Sequence, residues 1–299
     1  MSDKIYQIVT DQIIKQLESV DANDWTKPWF AVGHSPVNLR GTAYRGINHL
    51  LLSHSGYPSN IWATYKQWIE KECQVRKGEK SQLVVLWKFF KEADGEGNAT
   101  GKNAGVMVKY YSVFNSEQVD GIAARTAEDR LKEKLLTHDP IKEAQAFVDA
   151  YMTSQGLPTQ NSDVAYYRSG AAEHIAMPEL GQFHSREHYY STFAHEITHS
   201  TGAKKRLERD LSGNFGSKPY AFEELIAELG SAMICGTIGH EAMPREDHAQ
   251  YIKSWLRELK NDNKFIIQAA SKAQKAADYA LEAAGLQEPA DYAPEARAA

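Results

Sequence analysis

Residues 195–199 read His195-Glu196-Ile197-Thr198-His199, and this pentapeptide decides how the second half of the chain is read. Side chains four apart on an α-helix share a face. His195 and His199 can therefore hold one divalent ion from the same side. Glu196, one residue on, can take a proton from a water at that ion. Two imidazole ligands and a general base at this spacing are the pattern of zinc hydrolases. The surrounding residues 186–201, REHYYSTFAHEITHST, supply a helix to carry it. Phe193 and Ile197 can face a core, with Tyr189 and Tyr190 one turn earlier. Ser185 suits the N-cap, Glu187 the first turn, and Gly202 the C′ position after the last turn.

Two histidines leave a tetrahedral site one protein ligand short. A third histidine six residues after the second is ruled out, because Lys205 stands there. The alternative is a glutamate on a following helix. Residues 220–229 read YAFEELIAEL, with Glu224 and Glu228 four apart. Glu224 is the expected third ligand, and Glu223 is the fallback one register away. Glu228 is expected to accept a hydrogen bond from a ligating histidine. Tyr220 and His240 are the candidates to stabilise an oxyanion. HEITH at 195–199 and EELIAE at 223–228 resemble the zincin metallopeptidases that use a glutamate ligand. That resemblance implies an active helix under a mostly antiparallel sheet whose edge strand binds extended peptide. Residues 173–178, EHIAMP, are the expected edge strand, ended by Pro178.

Composition bounds the remainder. The chain has 299 residues and a formal charge of −5, enough for one large or two medium domains. It contains no apolar run long enough to span a membrane. The N-terminal MSDKIYQIVTDQII lacks the apolar core of a signal peptide. Cys73 and Cys235, two lone cysteines, fit core packing in a reducing cytoplasm. The overall charge hides an asymmetry: residues 1–125 balance at +2 and the rest at −7. Within 38–91 nine Lys and Arg face three acids, the footprint of a domain that meets a polyanion.

Punctuation supports an α+β chain of two domains, 1–125 and 141–299, joined by a linker at 126–140. In the first, a helix is expected from Ile5 to Val20, another from Trp62 to Glu72, and strands at 82–90 and 106–114. Between those strands lies a Gly-rich loop expected to be mobile. The second domain is expected to open with a helix at Ile141–Gln155 and to carry an Ala-rich helix over 263–285.

Trp25, Trp29, Tyr44, Tyr57, Trp62, Tyr65 and Trp68 crowd into 44 residues, interleaved with Arg40, Arg45, Lys66, Arg76, Lys77 and Lys80. Single-stranded nucleic acid offers open base faces and a phosphate chain, so its binders combine rings with a basic groove. Arg45, Lys77 and Lys80 are expected on phosphates, with Tyr44 first among the rings.

PWF at 28–30, Pro36-Val37-Asn38, TAYRGIN at 42–48, VRKGEKSQLVV at 75–85 and VFNSEQ at 113–118 resemble the N-terminal domain of ArdC-type antirestriction proteins. These are related to the N-terminal part of plasmid TraC primases, and a zincin-like domain follows in that family too. The resemblance spans nearly the whole chain. It implies a plasmid-encoded, cytoplasmic protein that binds single-stranded DNA and shields incoming DNA from restriction. Trp29, Tyr44, Arg45, Asn48, Arg76, Lys77 and Lys80 form the candidate DNA-contacting set. His195, His199 and Glu224 would hold Zn2+, or another divalent transition metal, with Glu196 and Tyr220 in catalytic roles on a protein substrate. Two other functions compete: a dedicated zinc metallopeptidase with an accessory nucleic-acid domain, and a primase- or nuclease-type enzyme. The last lacks an aspartate-rich Mg2+ cluster.

Overall fold

The structure, a computed structural model, describes residues 2–18, 35–53, 55, 57–93, 99–121, 140–213, 217–240 and 249–286. Trp25, Trp29 and the expected linker from 126 to 139 lie outside them. The first half opens with α1 (Ser2–Glu18), β1 (Val37–Asn38), α2 (Ile47–Ser53), β2 (Ile61–Ala63) and α3 (Tyr65–Glu70). It continues with β3 (Gln74–Val75), β4 (Gln82–Ala93), β5 (Ala99–Asn115) and β6 (Val119–Asp120). The second half holds α4 (Pro140–Gln155), β7 (Thr159–Asn161), β8 (Tyr166–Arg168) and β9 (His174–Met177). After them come α5 (Arg186–Thr201), α6 (Lys218–Ile238), α7 (Ala249–Asn261) and α8 (Phe265–Ala283). The architecture is α+β, with two sheets in the first half, ordered β1-β2-β5-β4 and β3-β6, and one in the second, β7-β9-β8.

Four-residue spacing builds α1: Ile5, Val9, Ile13 and Leu17 are all buried along one stripe, as helical periodicity requires. That stripe does not close a core of its own. It joins α2 residues Ile47, Leu50 and Leu51 in one cluster with Phe147, Ile197, Leu225, Trp255 and Ile266 of the second half. Thr10 Oγ1 also donates to the Asn263 carbonyl at 2.9 Å. The two halves are thus seated on shared apolar surface. Each aliphatic side chain so buried contributes about 1.5–3 kcal/mol. On α8 the buried residues are mostly alanine, at 269, 270, 273, 276, 277 and 280. Small side chains let α8 lie close to α6.

Three local expectations give way to tertiary context. Trp62 and Ala63 are strand, not helix: β2 pairs with β1 and β5, and α3 starts only after Thr64, whose hydroxyl and Gln67 form a capping box. The Gly-rich stretch between the expected strands is mostly hairpin, since β4 and β5 pair as far as Ala93 opposite Ala99. The segment expected as a sheet edge, β9, is the centre of its sheet, parallel to β7 and antiparallel to β8. All four of its residues are buried, which its weak alternation concealed. Cys73 and Cys235 are both buried.

Candidate functional site

Helix α5 is capped as its sequence implies: the Ser185 side chain accepts from the His188 N–H at 3.3 Å. It is nearly all buried from Tyr190 to Thr201. Its polar residues satisfy themselves locally, for Thr198, Ser200 and Thr201 hydroxyls donate to carbonyls of the preceding turn at 2.6–2.8 Å. Helix α6 crosses it at close range. A Cβ added at Gly230 would lie 2.5 Å from Thr198 Cγ2, so glycine is what allows this approach. Upstream of that crossing, α6 presents Glu223, Glu224 and Glu228 to α5.

The three expected ligands converge. His195 and His199 Nε2 are 3.1 Å apart. Glu224 oxygens lie 3.6 Å from the first and 3.4 Å from the second. A tetrahedral ion with bonds of about 2.0–2.2 Å needs donors about 3.3–3.6 Å apart. Among the described residues, His195, His199 and Glu224 are the group of such side chains that could hold an ion. Both remaining ring nitrogens have carboxylates beside them. His195 Nδ1 lies 2.9 Å from Glu228 and His199 Nδ1 lies 3.2 Å from Glu223. The Glu223 hydrogen bond turns His199 Nε2 toward the shared point, while the Glu228 contact with His195 is close but outside hydrogen-bond geometry. The residues present therefore fit a divalent metal.

Without an ion, a proton on His199 meets the negative charge of the surrounding carboxylates, and an incoming cation would displace it. Burial opposes a charge on His199, but its hydrogen bonds to Glu223 and Glu224 and the charges of Glu224 and Glu196 outweigh burial and raise its pKa to about 10. Burial pushes the Glu224 carboxyl up, yet His195 and His199 hold it well below the usual carboxylate range. A buried carboxylate kept ionised beside two imidazoles is a donor set prepared for a cation.

Glu223, the fallback ligand, is engaged differently. It accepts from Arg209 Nε at 3.0 Å and Nη2 at 2.8 Å, while also holding His199. Arg209 further donates to the Thr198 carbonyl at 2.7 Å and to Thr201 Oγ1 at 2.8 Å. This buried guanidinium ties the end of α5 to α6. Sequence reading missed it, since nothing local in RLERDL marks one arginine as buried. Gly202 supplies the nearest trace. It sits in right-handed helical conformation (φ −75°, ψ −8°) rather than the left-handed one expected at C′. A Cβ there would meet Leu211 at 2.9 Å and Arg209 at 3.0 Å. Glycine leaves room there for the Arg209 and Leu211 side chains.

Glu196 is buried, and its charge helps raise the His199 pKa. Tyr220 lies one turn before Glu224 on α6, its N–H capped by Ser217. His240 is elsewhere: its Nε2 is 3.2 Å from the Glu187 carbonyl, about 12 Å of helix rise before His195.

Among the described residues, the candidate DNA residues of the first half do not cluster as one platform. Tyr44 is buried with Leu52, Trp62, Val84 and Val113, so neither ring face is open to a base. Asn48 is buried and its amide satisfies both polar groups of Val85, at 2.7 Å each. Arg45 pairs with Asp278 of α8. Trp62 and Trp68 are fully buried, the latter donating its indole N–H to the Phe114 carbonyl at 3.0 Å. Arg76, Lys77 and Lys80 are exposed on the β3 turn, where Arg76 meets Glu79, Asp120 and the Glu117 carbonyl. Aromatic density here is mainly the density of a core.

Comparison with known proteins bears on both halves. Residues 3–114 match the family model for the N-terminal domain of anti-restriction factor ArdC, and residues 142–272 match that of a zincin-like metallopeptidase. The chain is 40% identical over 289 residues to the uncharacterized protein y4eC of Sinorhizobium fredii, covering 92% of this chain and 91% of that one. It is 34% identical over 295 residues to the DNA primase TraC of Escherichia coli, but spans only 27% of that primase. The crystal structure of the antirestriction protein ArdC from plasmid R388 superposes with a TM-score of 0.71 at 37% identity, covering 95% of this chain and 99% of that one. A Mn(II)-bound structure of the same protein matches at a TM-score of 0.70 and 38% identity. An ArdC-type N-terminal domain, a zincin-like domain after it and likeness along almost the whole length place this chain in the ArdC antirestriction family.

Proposed function

We propose that this chain binds single-stranded DNA and shields entering plasmid DNA from host restriction, and that its second half holds a zinc ion at His195, His199 and Glu224. The observation that carries the reading is the end-to-end likeness to ArdC combined with converging ligand atoms 3.1–3.6 Å apart. The Mn(II) bound to the R388 protein supports a divalent ion. The donor set of two imidazoles and a carboxylate favours zinc.

When bound there, the ion supplies Lewis acidity. The chain's own groups do the rest. His199 is oriented through Glu223, and His195 has Glu228 beside it. Glu196 takes a proton from the attacking water and passes it to the leaving amine. Tyr220 donates a hydrogen bond to the developing oxyanion. That machinery supports a second reading, in which the zincin half cuts a host protein.

A conjugation assay into restricting and non-restricting hosts separates the two. If coating the strand is what protects, Lys77→Gln with Lys80→Gln abolishes protection and Glu196→Ala leaves it intact. Loss of protection in Glu196→Ala, with normal folding and DNA binding, overturns the coating mechanism in favour of cleavage.

A further inference from the structure

Away from the metal centre, an open groove of about 600 Å3 lies between α3 and the β3–β6 pair, with Tyr65, Phe114, Gln74, Arg76, Lys77 and Asp120 in its lining. Its size suits one nucleotide-sized group. Tyr65 is the first residue of α3 and remains 49% exposed. It does not swing freely. Its ring stands edge-on to Phe114 with centroids 6.4 Å apart, and its hydroxyl accepts from the Gln74 side-chain amide at 3.2 Å. Among the described aromatic residues of this stretch Tyr44, Trp62 and Trp68 are buried, and of the two rings lining the groove Tyr65 is the more exposed, with Phe114 partly buried behind it.

Charge is arranged unequally around it. Arg76 is neutralised inside the groove by Glu79 at 3.0 Å and Asp120 at 3.5 Å. The carboxylates disfavour a phosphate lying on the floor. Lys77 and Lys80 are exposed and form no ion pair among the described residues. Lys77 stands beside Gly78, whose φ of +93° turns the chain at the rim. The groove therefore has a fixed ring and hydrogen-bonding groups within, and the Lys77 ammonium group at its edge.

We propose that this groove holds one unpaired nucleotide, its base against the Tyr65 ring and its phosphate at Lys77. The inference rests on the reading of the chain as a single-strand binder, and adds where and how a nucleotide is held. A duplex has its base faces already stacked and cannot use the ring, whereas an unpaired base can. Stacking does not depend on base identity, so the site is tolerant of sequence.

The test uses the whole protein, because α1 and α2 bury their apolar faces against the second half. Fluorescence anisotropy is measured with labelled oligothymidylate, an abasic strand of equal length and a hairpin duplex, over a series of salt concentrations. Tyr65→Ala is expected to weaken oligothymidylate binding about 5- to 150-fold. Tyr65→Phe, which keeps the ring, retains wild-type affinity. Lys77→Gln lowers the log–log salt slope by about 0.7. The abasic strand binds wild type and Tyr65→Ala alike. Wild-type protein that binds no single strand overturns both this inference and the function it rests on. Wild-type protein that binds oligothymidylate with Tyr65→Ala unchanged overturns the groove alone, as does equal affinity for abasic and thymidylate strands.

Discussion

Removing the Arg209 guanidinium should loosen the metal site without touching a ligand. Arg209 is buried, and its five donors make four hydrogen bonds, two to Glu223 and two to the end of α5. Glu223 in turn holds His199 Nδ1 at 3.2 Å. In Arg209→Ala, Glu223 is left 6% exposed with no guanidinium, and breaking a buried pair in this way costs about 3–5 kcal/mol of stability. The carboxylate that fixes the His199 ring also loses its own anchor, and a displaced partner of this kind lowers metal affinity by up to about 10- to 100-fold. Through linkage, saturating zinc then adds up to about 1.4–2.7 kcal/mol less stability to the variant than to wild type. Arg209→Lys restores the charge but not the fork, so it should fall between. Zinc affinity is read by competition with a chromophoric chelator, and stability by urea unfolding with and without zinc. A variant that unfolds more readily yet binds zinc as tightly as wild type would refute the reasoning, by showing that Arg209 braces the fold and does not position His199.

Two further perturbations probe the frame around the site. Gly230→Ala places a Cβ 2.5 Å from Thr198 Cγ2; overpacking there should cost about 1–3 kcal/mol and weaken zinc binding by parting α5 from α6, and an unchanged urea midpoint would show that the crossing has slack. His49 is buried between the Ser35 and Ser53 hydroxyls, 3.4 Å away on either side, and burial lowers its pKa from 6.5 to about 4. Between those values the unfolded chain binds a proton that the folded chain refuses, so stability is full above pH 6.5 and falls on acidification, by up to about 3 kcal/mol near pH 4. His49→Gln should flatten that part of the pH–stability profile, and parallel profiles for the two proteins would contradict it.

How far the site could be read beforehand follows from the range of the interactions. His195, Glu196, His199, Glu224 and Glu228 are related by helical spacing on two helices, and spacing is printed in the chain. Ser185 as cap is equally local. Arg209 stands between α5 and α6 and reaches Glu223 fourteen residues on, a separation that no helical spacing marks. Periodicity tells which face of a segment is apolar, not what covers it. That is why α1 was legible as a helix but not as part of a core shared with the second half. It is also why Tyr44 and Trp62, in an aromatic and basic stretch, reveal their burial only in three dimensions. The strand β9 reads as an edge because its alternation is weak; β7 and β8 flank it on both sides, and its neighbours come from residues before it.

Metal content is the most direct test of the central claim, that His195, His199 and Glu224 form one divalent-ion site with Glu196 beside it as a base. Elemental analysis of the purified protein should find about one zinc-like ion per chain, a closed set of three protein ligands with one open position. His195→Ala combined with His199→Ala should abolish it. Glu224→Ala should lose more metal than Glu223→Ala, since Glu223 bonds to Arg209 and His199 Nδ1. Glu196→Ala should keep its ion, because a general base is not a ligand. Full occupancy in the double histidine variant would contradict the account.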